Sequence, residues 1–197
     1  RGLGDVYKRQ LVTWYSGVEG GAALADVLVG DAEPAGRLPF AIPVDPAHLP
    51  HFDREATEIT YDLFHGQWQL DRDGHAPHFP FGFGLGWGAV DIVDAGLVGQ
   101  VTVSASVHNW TERPLRAAVF VHAGLERSAW ERPTRRLVGF ARVAVAPGAT
   151  VDIEIPVDWA LLDVRVDGGW VTEAGEYILD VGRFAGDPGA VTLAVHR

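Results

Sequence analysis

The stretch that decides the fold is Phe79-Pro80-Phe81-Gly82-Phe83-Gly84-Leu85-Gly86-Trp87, in which aromatic rings alternate with glycines. Several large rings exposed together would form an apolar patch that is unfavourable in water. The glycines carry no side chain, so two backbones can approach closely there. The stretch also separates a helix-bearing, loop-rich part from a part made of short alternating strands. We therefore predict that it is a seam between two lobes, with the rings as a core rather than a ligand site.

Length and composition bound the class of protein. The chain has 197 residues, enough for one large or two small domains, and its 47% apolar and 21% charged residues are ordinary for a globular protein. No apolar run approaches about 18 residues, so no transmembrane helix is expected. The formal charge of −10 makes nucleic acid and anionic membranes unfavourable partners. The absence of cysteine excludes disulfides and thiolate chemistry.

The first ten residues look foreign to the rest of the chain. The sequence contains no Met, and its only lysine is Lys8, although arginine is plentiful. Residues 1–10 look like a translated sequencing-library adaptor and are left out of the fold prediction. Residue 11 is then expected to follow a break in the gene, with further native sequence upstream. Any signal peptide would lie in that upstream part, so the cellular compartment is not predicted.

The first lobe is predicted to begin with a strand and a helix. Residues 11–15 are predicted to form a buried strand. Ser16 and Glu19 have the spacing of a capping box, which gives the Glu19 side chain a structural role at the start of a helix. That helix is expected to run to about Val29, with Gly30 as its C-cap. Gly20 and Gly21 near its start cost helix stability, which indicates close approach to another backbone or a ligand.

A long region at residues 45–78, rich in His, Asp and Pro, is predicted to be a functional loop. Tyr61 and Trp68 in this region are rings that could stack on a sugar, and they serve equally well as residues that fix the loop. His48 and His51, like His75 and His78, are three residues apart. A third ligand is not evident, so no metal site and no cofactor are predicted.

The second lobe, residues 90–197, is predicted to be an all-β sandwich. Apolar and polar residues alternate in four segments, at residues 101–108, 115–123, 151–157 and 191–195. About seven short strands in about a hundred residues suggest two packed sheets. Tyr177 is placed for a tyrosine-corner contact, and Asn109-Trp110-Thr111 matches a glycosylation triplet. The basic, aromatic residues 130–136 are interpreted as a solvated hairpin tip, with a contact to a partner domain as the alternative.

Several motifs in series resemble the C-terminal end of glycoside hydrolase family 3, the β-glucosidase family. The order and spacing of the motifs agree with the family, and the resemblance covers nearly all of the chain from residue 11 onward. The matching segments are Trp14-Tyr15-Ser16-Gly17-Val18-Glu19-Gly20-Gly21, Ala25-Asp26-Val27-Leu28-Val29-Gly30-Asp31, Pro34-Ala35-Gly36-Arg37-Leu38-Pro39, Phe79-Pro80-Phe81-Gly82-Phe83-Gly84-Leu85, Leu137-Val138-Gly139-Phe140, Pro147-Gly148 and Gly175-Glu176-Tyr177.

The resemblance implies an architecture of an α+β class. Residues 11–78 would be the end of an α/β sandwich domain, residues 79–89 the seam, and residues 90–197 a fibronectin type III-like, or immunoglobulin-like, sandwich. An N-terminal barrel domain would be the partner missing from this chain. Gly86-Trp87 and Gly66-Gln67-Trp68 depart from the family pattern, which indicates a subgroup of unknown substrate.

The resemblance also implies a retaining glycosidase that acts on a β-glucoside or oligosaccharide. Retention requires two carboxyl groups roughly 5–5.5 Å apart, one as nucleophile and one as acid and base. In the family both lie upstream of the region that matches residue 11, so no catalytic residue is assigned here, and the chain alone is expected to be inactive. Tyr61, His65 and Trp68 are candidates to line the substrate cleft of the intact enzyme.

Two other classes of protein compete with this interpretation. A non-catalytic carbohydrate-binding or structural β-sandwich module would be favoured by exposed coplanar aromatic rings on the face of the sandwich. A plain immunoglobulin-like adhesion domain would not need the strand, turn and helix that precede the sandwich.

Overall fold

The computed structural model describes residues 10–197, so most of the segment predicted to be an adaptor lies outside the described residues. The chain forms two compact units, which divide between Pro34 and Ala35. The first unit holds α1 (Gly20–Val29). The second holds β1 (Ile42–Pro43), α2 (Gln67–Asp73), β2 (Pro77–Phe79), β3 (Val90–Val98), β4 (Thr102–Asn109), β5 (Leu115–Leu125), β6 (Arg136–Val145), β7 (Thr150–Pro156), β8 (Val164–Val166), β9 (Gly169–Val171), β10 (Glu176–Gly182) and β11 (Val191–His196).

Helix α1 is present with a different start from the one predicted. It ends at Val29 with Gly30 in the left-handed conformation, as expected of a C-cap. The capping box is wrong, because Glu19 is itself the N-cap residue and makes no side-chain capping bond. No other backbone lies within 4 Å of the Cβ positions of Gly20 and Gly21; Gly20 instead meets the side chain of Ser16, which occupies the place where its Cβ would lie.

The strand predicted at residues 11–15 is absent, and those residues have no regular structure. Trp14 has a φ of 52°, which is incompatible with extended backbone. A strand also needs a hydrogen-bonded neighbour, and none of the described strands pairs with this segment. Leu11, Val12 and Tyr15 are accordingly exposed.

The second lobe is the predicted two-sheet sandwich. One sheet has four antiparallel strands in the order β11-β10-β5-β6, and the other has three in the order β3-β4-β7. The four segments of alternating sequence correspond to β4, β5, β7 and β11, so those predictions are confirmed. The short hairpin of β8 and β9 turns through Asp167 and Gly168, which both have positive φ.

The core lies between the two sheets and uses the alternate residues that the pattern predicted. Val103 and Val107 of β4 and Ile155 of β7 are fully buried against Val119 and Val121 of β5. The outward residues of β4 and β7 are polar, as expected when only one face of a sheet is covered.

Strand β5 is buried on both faces, unlike β4 and β7. Its outward side chains Phe120 and His122 lie beneath Phe81 of the seam, with ring centroids 6.1 Å apart in both pairs. The backbone of the seam is fixed at the same place, because the N–H of Ala185 donates to the carbonyl of Phe81 at 2.9 Å. The predicted packing of the rings holds for Phe79, Phe81 and Phe83, which are partly buried and in ring contact, whereas Trp87 is 43% exposed. The domain boundaries at residues 78 and 89 stay a prediction.

The other edge of the seam pairs with residues 35–43. The N–H of Gly82 donates to the carbonyl of Leu38 at 2.8 Å, and the N–H of Leu38 donates to Phe83 at 2.9 Å. A Cβ on Gly84 would lie 2.6 Å from the carbonyl oxygen of Gly36, so only glycine fits there. The close backbone approach predicted from the alternating glycines is therefore real.

The tyrosine corner is also present. Tyr177 is completely buried, and its hydroxyl donates to the carbonyl of Glu173 at 2.6 Å. The glycosylation triplet Asn109-Trp110-Thr111 has a structural role instead. The buried side-chain amide of Asn109 donates hydrogen bonds to the carbonyls of Arg113 and Val145 at 2.7 and 3.1 Å. A side chain enclosed in this way is not accessible for glycosylation.

Replacing Tyr177 by phenylalanine should lower the free energy of unfolding by about 1 to 2 kcal/mol, because the Glu173 carbonyl loses its donor in a buried place. Urea unfolding followed by circular dichroism measures this change. Tyr61→Phe is the matched control, because Tyr61 is 51% exposed and its hydroxyl is open to water. Equal stability of Tyr177→Phe and the parent would contradict the assignment.

Candidate functional site

The region predicted to be one long loop contains a helix, α2, which sequence reasoning missed. Gly66, at a φ of 56°, precedes it, and Gly74 closes it in the left-handed conformation. Only Leu70 is buried, so the apolar periodicity that would have indicated a helix is too short to detect. The two glycines eight residues apart were the available signal.

Helix α2 contacts the loop between β5 and β6 through charged groups. The Arg135 Nε lies 2.9 Å from Asp71 Oδ2, and the Gln67 amide donates to Asp71 Oδ1 at 2.9 Å. The guanidinium of Arg136 lies over the ring of Trp68, 5.3 Å from its centroid. Arg135 and Arg136 therefore contact α2, and the interpretation of this segment as a solvated hairpin tip is wrong for these two residues, whereas Trp130 and Glu131 are exposed.

The carboxylate of Glu173 fixes the start of the same loop by hydrogen bonds to residues 128–132. Its carboxylate accepts hydrogen bonds from Ser128 Oγ at 2.7 Å, the N–H of Ala129 at 2.6 Å and Arg132 Nη2 at 2.9 Å. Burial alone would raise the pKa of Glu173, but the hydrogen bonds from Ala129 and Ser128 and the charge of Arg132 outweigh it and lower the pKa. The start of the loop between β5 and β6 is therefore held by this charged hydrogen-bond network.

The three candidate lining residues do not come together in one pocket. Tyr61 is half exposed and lines an open groove of about 530 Å³ between residues 50–62 and α2. His65 and Trp68 form a separate ring pair, with centroids 5.5 Å apart. Trp68 is half buried beneath Arg136, and this position agrees with one of its two predicted roles, that of fixing the loop.

The groove beside Tyr61 is polar and is organised by Arg72. The Arg72 guanidinium donates to Asp62 Oδ2 at 3.0 Å and to Asp73 Oδ1 at 2.7 Å, and it lies over the ring of Phe64 at 4.8 Å. The hydrogen bond from Arg72 holds the pKa of Asp73 below its usual value. These contacts connect the irregular residues 50–62 to α2.

In the structure, the two histidines whose rings stack come one from each of the pairs predicted from spacing along the chain. The rings of His48 and His75 are stacked in parallel, with centroids 3.7 Å apart. Among the described residues, no group of three or more histidine or carboxylate side chains is placed to hold a metal ion.

The carboxylates with a clearly shifted pKa are not poised to act as general acids. Each one whose pKa is clearly shifted has it lowered, namely Asp73, Glu173 and Asp187. Asp187 is buried yet charged, because Arg183 donates to both of its oxygens at 2.7 and 2.8 Å and outweighs the cost of burial. A glycosidase acid needs the opposite shift, since it must stay protonated until it donates.

The described part of the chain also has no helix long and apolar enough to cross a membrane.

Comparison with known proteins defines the class. The sequence model of the glycosyl hydrolase family 3 C-terminal domain matches residues 8–87, and that of the fibronectin type III-like domain matches residues 117–185. The chain is 36% identical, over 98% of its length, to a β-glucosidase of Rhizobium radiobacter and covers 26% of that protein.

Solved structures agree with this assignment. A β-glucosidase from Kluyveromyces marxianus in complex with glucose superposes with a TM-score of 0.80 at 29% identity, over 93% of this chain and 24% of its own. A family 3 β-glucosidase from Bifidobacterium adolescentis gives 0.79 at 28% identity, over 90% of this chain and 28% of its own.

The chain belongs to glycoside hydrolase family 3. It corresponds to the C-terminal region of that family's β-glucosidases and spans about a quarter of the length of the relatives it matches. The resemblance read from the sequence motifs, and the fold that it implied, are confirmed.

His122 is a buried titratable group that the sequence did not reveal. It is 4% exposed between the rings of Phe81 and Phe120, and its burial, together with the charge of Arg135, lowers its pKa to about 4. It is therefore neutral at pH 7 and behaves as part of the aromatic core.

The stability should depend on pH through His122. Because its pKa is lower when folded, the unfolded state binds more protons below about pH 6.5, and stability falls as the pH drops towards 4. This group should remove about 2 kcal/mol between pH 7 and pH 5. We expect His122→Leu to abolish that part of the pH dependence in urea unfolding, while His196→Gln, at an exposed position, retains it. An unchanged pH profile in His122→Leu would contradict the buried neutral state.

Replacing Asp71 by asparagine should loosen α2 without unfolding the sandwich. The substitution removes the charge that pairs with Arg135. We expect amide exchange at residues 67–73 to accelerate about fivefold, for a loss of about 1 kcal/mol, and the protected amides of β5 and β10 to accelerate to the same extent if they share one cooperative core with α2. Hydrogen exchange with residue resolution measures this effect. Asp73→Asn is the control, because its partner Arg72 belongs to the same helix; equal acceleration in both variants would refute a specific role for Asp71.

Proposed function

We propose that this chain is the C-terminal part of a retaining β-glucosidase that hydrolyses O-glycosyl bonds of β-glucosides or oligosaccharides. The observation that carries the proposal is the 36% identity to a β-glucosidase over 98% of the chain. The order of the two matched domains and the agreement with solved β-glucosidase structures support it.

The catalytic carboxylates are proposed to lie outside this chain, in an N-terminal barrel domain and the upstream part of the α/β sandwich domain. Two observations favour the location of the catalytic carboxylates outside this chain. The carboxylates with shifted pKa values are engaged in ion pairs, and their pKa values are lowered, which suits structural roles. The relatives also extend well beyond the matched region, since the chain covers only about a quarter of them.

The contribution of this chain to the substrate cleft is proposed to come from the groove beside Tyr61. Tyr61 presents an exposed ring, and Asp62 and Arg72 supply a carboxylate and a guanidinium that can bind sugar hydroxyls. His65 and Trp68 are proposed to act on the same segment indirectly, through the ring pair and the contact with Arg136.

The purified chain alone should release no aglycone from an aryl β-glucoside, whereas the longer protein encoded upstream of residue 11 together with this chain should do so. In that longer protein, Tyr61→Ala should raise KM several-fold and leave kcat within about twofold, because it removes only substrate binding.

Trp170→Ala is the control, because Trp170 is a 69% exposed aromatic residue on β9 of the sandwich, outside the groove. Hydrolysis by the isolated chain would overturn the location of the catalytic groups. Failure of the longer protein on a panel of β-glycosides would overturn the proposed activity.

A further inference from the structure

The outer face of the three-stranded sheet carries an exposed indole that is held in place by polar groups. Trp110 is 66% exposed, yet its Nε1–H donates to Asp91 Oδ2 at 3.0 Å. Its ring also meets the His108 imidazole edge-on, with centroids 3.9 Å apart. An exposed ring fixed from two sides loses little conformational freedom when a ligand covers it.

The residues around Trp110 form a flat polar row across three strands. Asp91 of β3 is directly opposite His108 of β4, which is in turn opposite Thr150 of β7. His108 Nδ1 and Thr150 Oγ1 are 2.8 Å apart, so the imidazole orientation is fixed as well. In the next row, Ser106 Oγ donates to Asp152 Oδ1 at 2.6 Å. The face therefore combines one large ring with hydroxyl, imidazole and carboxylate groups.

This chemistry selects among the ligands that can stack on an indole. The Asp91 carboxylate is already paired with Arg183 at 3.1 Å, whereas Asp152 on this face and the formal charge of −10 of the chain disfavour nucleic acid bases and anionic sugars. A neutral pyranose suits it, since its C–H face covers the ring and its hydroxyls pair with the polar row. A β-linked glucose unit has all its ring hydroxyls equatorial and leaves two such apolar faces.

We propose that Trp110, with Asp91, His108 and Thr150, forms a binding site for a neutral β-linked gluco-oligosaccharide. The site lies entirely within the sandwich, so the proposal does not depend on the proposed hydrolase activity. It assigns to the fibronectin type III-like domain a ligand-binding surface in addition to its packing role.

The test is a titration of the ¹⁵N-labelled full chain with cellotetraose, followed at the indole N–H resonances. We expect saturable binding with the resonance of Trp110 among those that shift, and about tenfold weaker binding in Trp110→Ala, equivalent to about 1.4 kcal/mol. Trp110→Phe, which keeps a smaller ring, should bind with intermediate affinity and guards against misfolding of the alanine variant. Removing the imidazole in His108→Ala should weaken binding several-fold.

Trp170→Ala is the matched control, because Trp170 is 69% exposed on β9, where the Arg165 guanidinium lies 6.0 Å from its ring centroid. It should bind cellotetraose within about twofold of the parent. A carboxylated oligosaccharide, oligogalacturonate, should bind at least several-fold more weakly than cellotetraose. The proposal fails if cellotetraose does not bind at millimolar concentration, if Trp110→Ala binds as well as the parent, or if both tryptophan variants lose binding equally.

Discussion

The burial of strand β5 on both faces is the constraint on which the larger unit depends. Its inner side chains fill the core of the sandwich, while Phe120 and His122 on its outer side are covered by Phe81. Burying one aromatic side chain of this kind contributes about 1.5 to 3 kcal/mol, and favourable ring geometry adds about 0.5 to 1.5 kcal/mol. These amounts are a large fraction of the stability of an ordinary domain. The seam therefore joins residues 35–89 to the sandwich through a core rather than through a linker.

Charged groups extend this core to the segment that carries the groove. Glu173 and Arg132 fix the start of the loop between β5 and β6, and Arg135 then pairs with Asp71 of α2. The carbonyl of Thr134 in this loop passes directly over Gly124, where a side chain would not fit. Tyr61 and the groove beside α2 thus obtain their position from the sandwich. If the groove lines the substrate cleft as proposed, the β-sandwich positions that lining through these contacts.

Repeating patterns in the sequence predicted the strands and the packing of the seam, whereas elements whose structure depends on a single long-range contact were not predicted. Alternation over seven or more residues predicted β4, β5 and β7, and the ring and glycine alternation predicted the packing of Phe81. Helix α2 is only seven residues long with one buried side chain, too short for its periodicity to be recognised. The strand predicted at residues 11–15 failed because apolar composition does not supply a hydrogen-bonded neighbour. The contacts of Arg135 and Arg136 with α2 join residues more than sixty positions apart, which spacing along the chain cannot reveal.

Native-state hydrogen exchange in a series of urea concentrations tests most directly whether Phe81 and strand β5 share one core. If Phe81 and β5 share one core, the protected amides of residues 66–83 should open with the same free energy as those of β5 and β10, in a single cooperative step. In Phe81→Ala, the amides of residues 66–83 should then exchange through a separate opening of lower free energy, while β10 keeps its protection. If residues 66–83 already open well before the sandwich in the parent chain, the seam is a linker and the account is contradicted.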